Sequence, residues 1–160
     1  MYKRPRSVQI VVFREALKGR EYLLLKRVET EGGYWQSITG SLERGETNSE
    51  AALRELKEET GFEARLDELI DLDITNVFKI DPRWLQKYEP GVTHNEETCY
   101  ALEVRAGVPI LNAAEHTAFS WTTFEVAMRM VYWESTKKGL AAADRLRRLT
   151  DGHVRDVKKR

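Results

Sequence analysis

Cysteine is what this chain has least of. One thiol, Cys99, stands among 160 residues, so no intrachain disulfide can form and a reducing, cytoplasmic setting is expected. Cys99 itself is expected to be buried and inert. Net charge is missing too. The 26 Lys and Arg balance 26 Asp and Glu, which leaves no global field to attract nucleic acid or a membrane surface. Apolar runs are short: none reaches the ~20 residues that span a bilayer. The opening residues MYKRPRS lack the apolar centre of a secretory signal. Three histidines, His94, His116 and His153, are scattered and form no metal-ligand pair by spacing. Internal repeats and low-complexity segments are absent. The expected organisation is one domain over residues 1–160, large enough to bury a core without covalent staples. Residues 152–160 are read as a flexible basic tail.

Charge is instead concentrated locally, and residues 43–59 are strongly acidic. Thr47 followed by Glu50 is a capping-box pattern, which predicts a helix from Asn48. Gly61 stands where a left-handed C-terminal cap is expected, so the helix should end near Thr60. Within it, Glu55, Glu58 and Glu59 recur at i, i+3 and i+4, a spacing that puts three carboxylates on one face. Ala51 and Ala52 leave room one turn before them. Leu53, Leu56 and Thr60 are read as the opposite, core-facing side. Like charges at this spacing cost about 0.2–0.5 kcal/mol per pair. A divalent cation converts that repulsion into coordination. Carboxylate oxygens suit Mg2+, with Mn2+ as a second choice, and Mg2+ keeps places for waters and substrate phosphates. Arg54 lies four residues from both Glu50 and Glu58 and is placed to pair with them.

Around this helix, residues 7–13 (SVQIVVF) read as a buried strand and 21–27 (EYLLLKR) as its hairpin partner, joined by a polar turn. Residues 29–33 form a loop, and 34–38 a short strand leading to Gly40. Residues 66–79 carry one or two strands, although DELIDLD also reads as a helical turn. A long surface loop is expected over 81–95, where two prolines and a Pro-Gly pair fall. Residues 97–104 alternate like a strand, and a further short strand is read at 119–121. Helices are predicted over 123–131, capped by Thr122 or Thr123, and over 135–149, ending before Asp151-Gly152. The pattern points to α/β architecture, with a central mixed sheet between helices.

Gly40, then Glu46, then Arg54-Glu55-Leu56-x-Glu58-Glu59-x-Gly61-Phe62 resembles the Nudix box at each of its fixed positions. The chain therefore resembles the Nudix hydrolases, which cleave nucleoside diphosphates linked to another group. The resemblance implies a Nudix-type α/β/α sandwich and Mg2+-dependent hydrolysis of a phosphoanhydride. It also implies that Glu55 and Glu59 bind the metal, with help from the Gly40 carbonyl, and that Glu58 completes the catalytic acids. Glu46 and Arg54 are expected to support the box. Such enzymes commonly add one carboxylate from outside it, and Glu115 is the candidate for that further catalytic and metal-binding role.

Glu115 is chosen through a narrower resemblance. Glu115-His116-x-Ala118-x-x-Trp121 is similar to a segment of the bacterial dihydroneopterin triphosphate pyrophosphohydrolases. Tyr2-Lys3-Arg4-Pro5, Trp35-Gln36-Ser37-x-Thr39-Gly40-Ser41 and Tyr88-x-Pro90-Gly91-Val92-Thr93-x-Asn95-x-Glu97 agree as well, as does Trp133. This likeness implies release of pyrophosphate from dihydroneopterin triphosphate, an early step towards folate. It carries over substrate contacts at Lys3, Arg27 and Thr39, and Tyr132 is counted with them. Near Tyr132, where that group has a small polar residue, and around Gly32-Gly33 the chain departs from the pattern. Tyr34 and Trp35 fit either the core or a stacked heterocycle. Two other readings stay open: a nucleoside triphosphate or RNA 5′-end pyrophosphohydrolase, and a non-catalytic Nudix-fold binding module. The retained acids weigh against the second. The expected partner is a small-molecule triphosphate, with no membrane and no stable nucleic-acid partner; the oligomeric state is left open.

Overall fold

Alternation along two neighbouring strands, β1 (Arg6–Ala16) and β2 (Gly19–Arg27), builds two cores at once. Successive side chains of a strand point to opposite faces. In the computed structural model, Val8, Ile10, Val12, Leu23 and Leu25 pack on one face of the sheet, and Val11, Phe13, Tyr22 and Leu24 pack on the other. Strands buried on both faces read as near-continuous apolar runs, which is how both segments look in the sequence. The structure describes residues 1–158, with side chains described as far as residue 146.

The remaining strands are β3 (Trp35–Gln36), β4 (Ile38–Ser41), β5 (Ile70–Lys79), β6 (His94–Glu103) and β7 (His116–Thr122). Together the seven form one mixed sheet in the order β3-β2-β1-β6-β5, with β4 paired to β1 and β7 to β2. The β1–β6 pair is parallel, from Arg6↔Glu96 to Phe13↔Glu103; β1–β2, β1–β4, β2–β7 and β5–β6 are antiparallel.

Helix α1 (Asn48–Thr60) closes one face by adding Ala51, Ala52 and Leu56 to the first core. Helices α2 (Phe124–Met130) and α3 (Glu134–Lys158) close the other through Ala127, Leu140 and Ala143. This is the layered α/β arrangement read from the sequence. Leu56 is fully buried, and cutting such a side chain to alanine costs ~2–5 kcal/mol.

Several boundaries differ from the sequence reading. Both readings of the segment after α1 occur, one after the other: a 3-10 turn at Leu66–Glu68 and then β5. The loop expected over 81–95 contains a 3-10 segment, Pro82–Lys87, started by the Asp81 side chain accepting from Arg83 N at 2.9 Å. The short strand read at 119–121 is the middle of β7. Thr123 caps α2, its hydroxyl accepting from Val126 N at 3.4 Å. Helix α3 runs through Asp151-Gly152 to Lys158, because one glycine costs only ~1 kcal/mol in a helix interior. The side chains of the expected tail, and residues 159–160, lie outside the described residues.

Cys99 is free and fully buried, and burial pushes its thiol pKa well up. Beside it, Glu97 Oε1 accepts from Gln9 Nε2 at 2.9 Å and Asn76 Nδ2 at 3.3 Å. Both amides also donate to the Ser135 carbonyl, at 3.0 and 3.3 Å, which ties the sheet to the start of α3. Among the described residues no helix is long and apolar enough to cross a membrane.

Candidate active site

The site grows from the two ends of α1. At its start the Thr47 hydroxyl accepts from Glu50 N at 3.2 Å. At its end Gly61 adopts φ +74° and its N–H reaches Lys57 O at 2.9 Å. That backbone conformation is the one glycine takes without Cβ strain.

Arg54 fastens the preceding loop to this helix. It donates twice to Glu46, at 2.6 and 2.9 Å, and once to the Ser41 carbonyl at 2.9 Å. Its other terminal nitrogen reaches Glu55 at 2.8 Å and Glu58 at 3.2 Å. Hydrogen bonding to Arg54 holds the Glu46 carboxyl below its ordinary pKa, and Glu46 in turn raises that of Arg54. Glu46 and Arg54 thus bind loop to helix, as the sequence suggested. The pairing expected with Glu50 does not form, because the guanidinium turns back towards the loop.

The three acids share one arc of α1, as the spacing predicts, but they differ in burial, which the spacing did not show. Glu55 and Glu59 lie on the buried side with Ala51, Ala52, Leu56 and Thr60, while the Glu58 side chain is 50% exposed. Leu53, expected in the core, is only partly buried. Position 58 follows 55 by 300° of helical rotation and falls outside the arc facing the sheet. What makes room for a buried carboxylate is β4. A Cβ on Gly40 would stand 2.0 Å from Glu55 Cδ, so only glycine tolerates this approach. Burial pushes the Glu55 carboxyl up to about 7, against the pull of Arg54.

Glu59 is more enclosed still. Its Oε2 lies 2.6 Å from His116 Nδ1, yet off-axis, so neither atom has a hydrogen-bond partner among the described residues.

Pairing of β2 with β7 delivers the other groups. Arg27 stands opposite His116, next to an irregularity in the ladder. Arg27 Nη1 reaches Glu115 Oε2 at 2.5 Å, and Val28 N donates to the Glu115 carbonyl at 3.0 Å. Lys3 arrives from the N-terminal segment, its N–H bonded to Lys87 O at 2.8 Å. Although more than a third of Lys3 is exposed, partial desolvation and then neighbouring Lys87 lower its pKa, while Glu115 and Glu55 act in the opposite direction. A hollow of about 390 Å³ beside it is lined by Met1, Tyr2, Lys3, Gln86 and Lys87.

Thr39 sits in β4 opposite Gln9, adjacent to Gly40. Tyr132 is not brought to the acids. It stacks on Tyr34 at 4.4 Å and 23° and is 59% exposed. Two residues at the site went unread in the sequence. Lys87 ends the 3-10 segment Pro82–Lys87 and carries no local signal. His116 neighbours Glu115 but looked like one of three scattered histidines.

Among the described residues no three His, Cys, Asp or Glu side chains converge as a ready-made metal cluster, and Glu115 is paired with Arg27. The donor set still suits a hard cation: buried carboxylate oxygens, one of them orphaned, beside a glycine cradle.

A mixed sheet between helices, with an acidic helix clamped to a glycine-bearing strand, is the arrangement that the Nudix resemblance implied. The chain belongs to the Nudix family: the NUDIX domain matches residues 3–143. It is 37% identical over 123 residues to the dihydroneopterin triphosphate diphosphatase of Escherichia coli (strain K12), covering 76% of this chain and 79% of that one. The protein of that name from Haemophilus influenzae is 32% identical over 132 residues, covering 81% and 80%. The solved E. coli dihydroneopterin triphosphate pyrophosphohydrolase superimposes with a TM-score of 0.76 at 33% identity, over 88% of this chain and 94% of that chain. Nudix proteins generally use divalent ions such as Mg2+.

Proposed function

We propose that this chain is a Mg2+-dependent pyrophosphohydrolase that converts dihydroneopterin triphosphate to the monophosphate and pyrophosphate. The observation that carries the chemistry is the pair Glu55 and Glu59, two carboxylates kept in the interior beside Gly40 and His116. The substrate assignment rests on similarity to diphosphatases of that specificity over three quarters of the chain.

In this reading Glu55, Glu59, the Gly40 carbonyl and Glu115 hold the ion. When bound, it neutralises charge on phosphate oxygens and acidifies a water. Arg54 fixes the Glu55 carboxylate and thereby its free oxygen. Lys3, Arg27 and Thr39 orient the triphosphate, with Lys87 adding a further cation beside Lys3. Glu58, on the solvent side and bonded to Arg54, takes up the proton released from the attacking water. Tyr132 and Tyr34 form the wall nearest the organic end of the substrate.

The test is a comparison of kcat/KM for dihydroneopterin triphosphate, dATP, GTP and triphosphorylated RNA, with and without Mg2+, following pyrophosphate by 31P NMR. The pterin substrate should lead and turnover should need the metal. A preference for a nucleotide or an RNA end would overturn the substrate; pyrophosphate release without divalent metal would overturn the chemistry.

A further inference from the structure

His116 opens β7 and meets Glu59 where the strand passes α1. The imidazole is 3% exposed and the Glu59 side chain 5%. Their nearest atoms, Nδ1 and Oε2, are 2.6 Å apart, and neither these nor His116 Nε2 has a hydrogen-bond partner among the described residues. Two lone pairs repel at that distance, so a proton must lie between the atoms. A neutral imidazole carries one ring proton, and its position is a choice between two tautomers. With the proton on Nε2, the ring would bury an unpaired donor and press a lone pair against a carboxylate. With the proton on Nδ1, it donates to Glu59 and leaves only a bare acceptor at Nε2, the smaller penalty. The contact is off-axis, and the inference requires the ring or the carboxylate to turn into line.

We infer that His116 is a positioning residue: its Nδ1–H holds Oε2 of Glu59 and so presents the other carboxylate oxygen to a divalent cation. This rests on the reading of Glu59 as a metal ligand. Carboxylates that bind metals are oriented by such partners, whose loss costs typically 10–100-fold in affinity. The inference needs a proton on Nδ1 and no change of charge. It gives a role to a histidine that neither spacing nor chemistry had singled out, and it explains why a polar ring is buried at the end of an apolar strand pairing.

The experiment measures Mn2+ binding to the purified full chain, without substrate, by the EPR signal of the free ion. His116→Phe keeps the ring volume and removes the donor; its affinity should fall at least ~10-fold. His116→Asn places an amide N–H where Nδ1 stands and should return affinity close to the wild-type value. In the wild-type protein, 15N NMR of labelled histidine should find the proton on Nδ1. An unchanged Phe variant, an Asn variant as weak as Phe, or an Nε2–H tautomer would each overturn the inference. Should the Phe variant fail to fold, the tautomer and the Asn variant decide. If the wild-type chain takes up no Mn2+, the ligand reading of Glu59 fails and takes this inference with it. Tight wild-type binding beside an unaffected Phe variant sinks the inference alone.

Discussion

Arg27 and Glu115 hold each other, with guanidinium Nη1 2.5 Å from carboxylate Oε2. Chain pairing from Val28 N to the Glu115 carbonyl sets both in place. The sequence assigned one to phosphates and the other to metal, and the ion pair makes those two roles interdependent. An oxygen engaged by a guanidinium is a weaker ligand for a cation. Arg27→Gln should therefore lower the Mg2+ concentration needed for half-maximal activity while raising KM for the triphosphate. Glu115→Gln should raise the Mg2+ requirement. In the double variant the effects should depart from additivity by about 0.5–3 kcal/mol, the range for residues in contact. Purely additive effects in Mg2+ titrations would contradict the coupling.

Gly40 leaves the space that Glu55 fills. A Cβ there would stand 2.0 Å from the carboxylate carbon, and Arg54 restrains the acid from moving aside. Gly40→Ala should therefore retain a cooperative melt but lose most Mn2+ affinity and turnover. An alanine variant with wild-type Mn2+ binding, measured by calorimetry, would show that the close approach has no functional weight.

Arg54 answers two buried or half-buried carboxylates and one backbone carbonyl. Removing it strands Glu46 and Glu55, and Arg54→Ala should lower the unfolding free energy by ~3 kcal/mol in urea titrations. Arg54→Lys should recover only part of this, since one ammonium cannot reproduce the forked contact with Glu46. A loss within about 0.5 kcal/mol for the alanine variant would mark the cluster as a surface pair of no consequence.

These three predictions also separate what was local in the sequence from what was not. Thr47, Gly61 and the ends of α1 were legible because a cap is written within four residues of the helix it ends. The paired faces of β1 and β2 were legible from their apolar runs. Which acids of α1 turn inward was not, because that depends on a missing Cβ in β4, on another element. Lys87 reaches Lys3 through a backbone contact between residues far apart in the chain, and no spacing rule anticipates it. His116 was visible as a position of the Glu115-His116-x-Ala118-x-x-Trp121 segment, with no role attached to it. Helix α3 outran its expected stop because one Gly opposes a helical pattern only weakly.

Glu97 gives stability a pH dependence independent of the acidic helix. Burial raises its carboxyl above the ordinary 4.5. Between that value and the folded one, the native chain keeps a proton that the unfolded chain has released. Stability is therefore full at low pH and is lost as pH rises through the folded pKa. Glu97→Gln removes this loss. Its melting temperature should gain on the wild type as pH rises above the ordinary carboxylate pKa towards the raised one. Glu55, raised to about 7, adds the same slope to both proteins and cancels in the difference. A constant or shrinking difference across that range would contradict the buried-acid assignment.

Glu59→Gln should cut turnover by orders of magnitude without lowering the melting temperature, since the amide removes a negative charge buried on the same helix side as Glu55. Undiminished activity would remove Glu59 from the reaction.

The most direct measurement of the whole account is anomalous diffraction from a crystal grown with Mn2+ and a non-hydrolysable triphosphate analogue. The expected result is a metal peak bonded to Glu55 and Glu59, with phosphate oxygens completing its shell. A peak elsewhere, or those two carboxylates facing nothing but water while the analogue is bound, would contradict it.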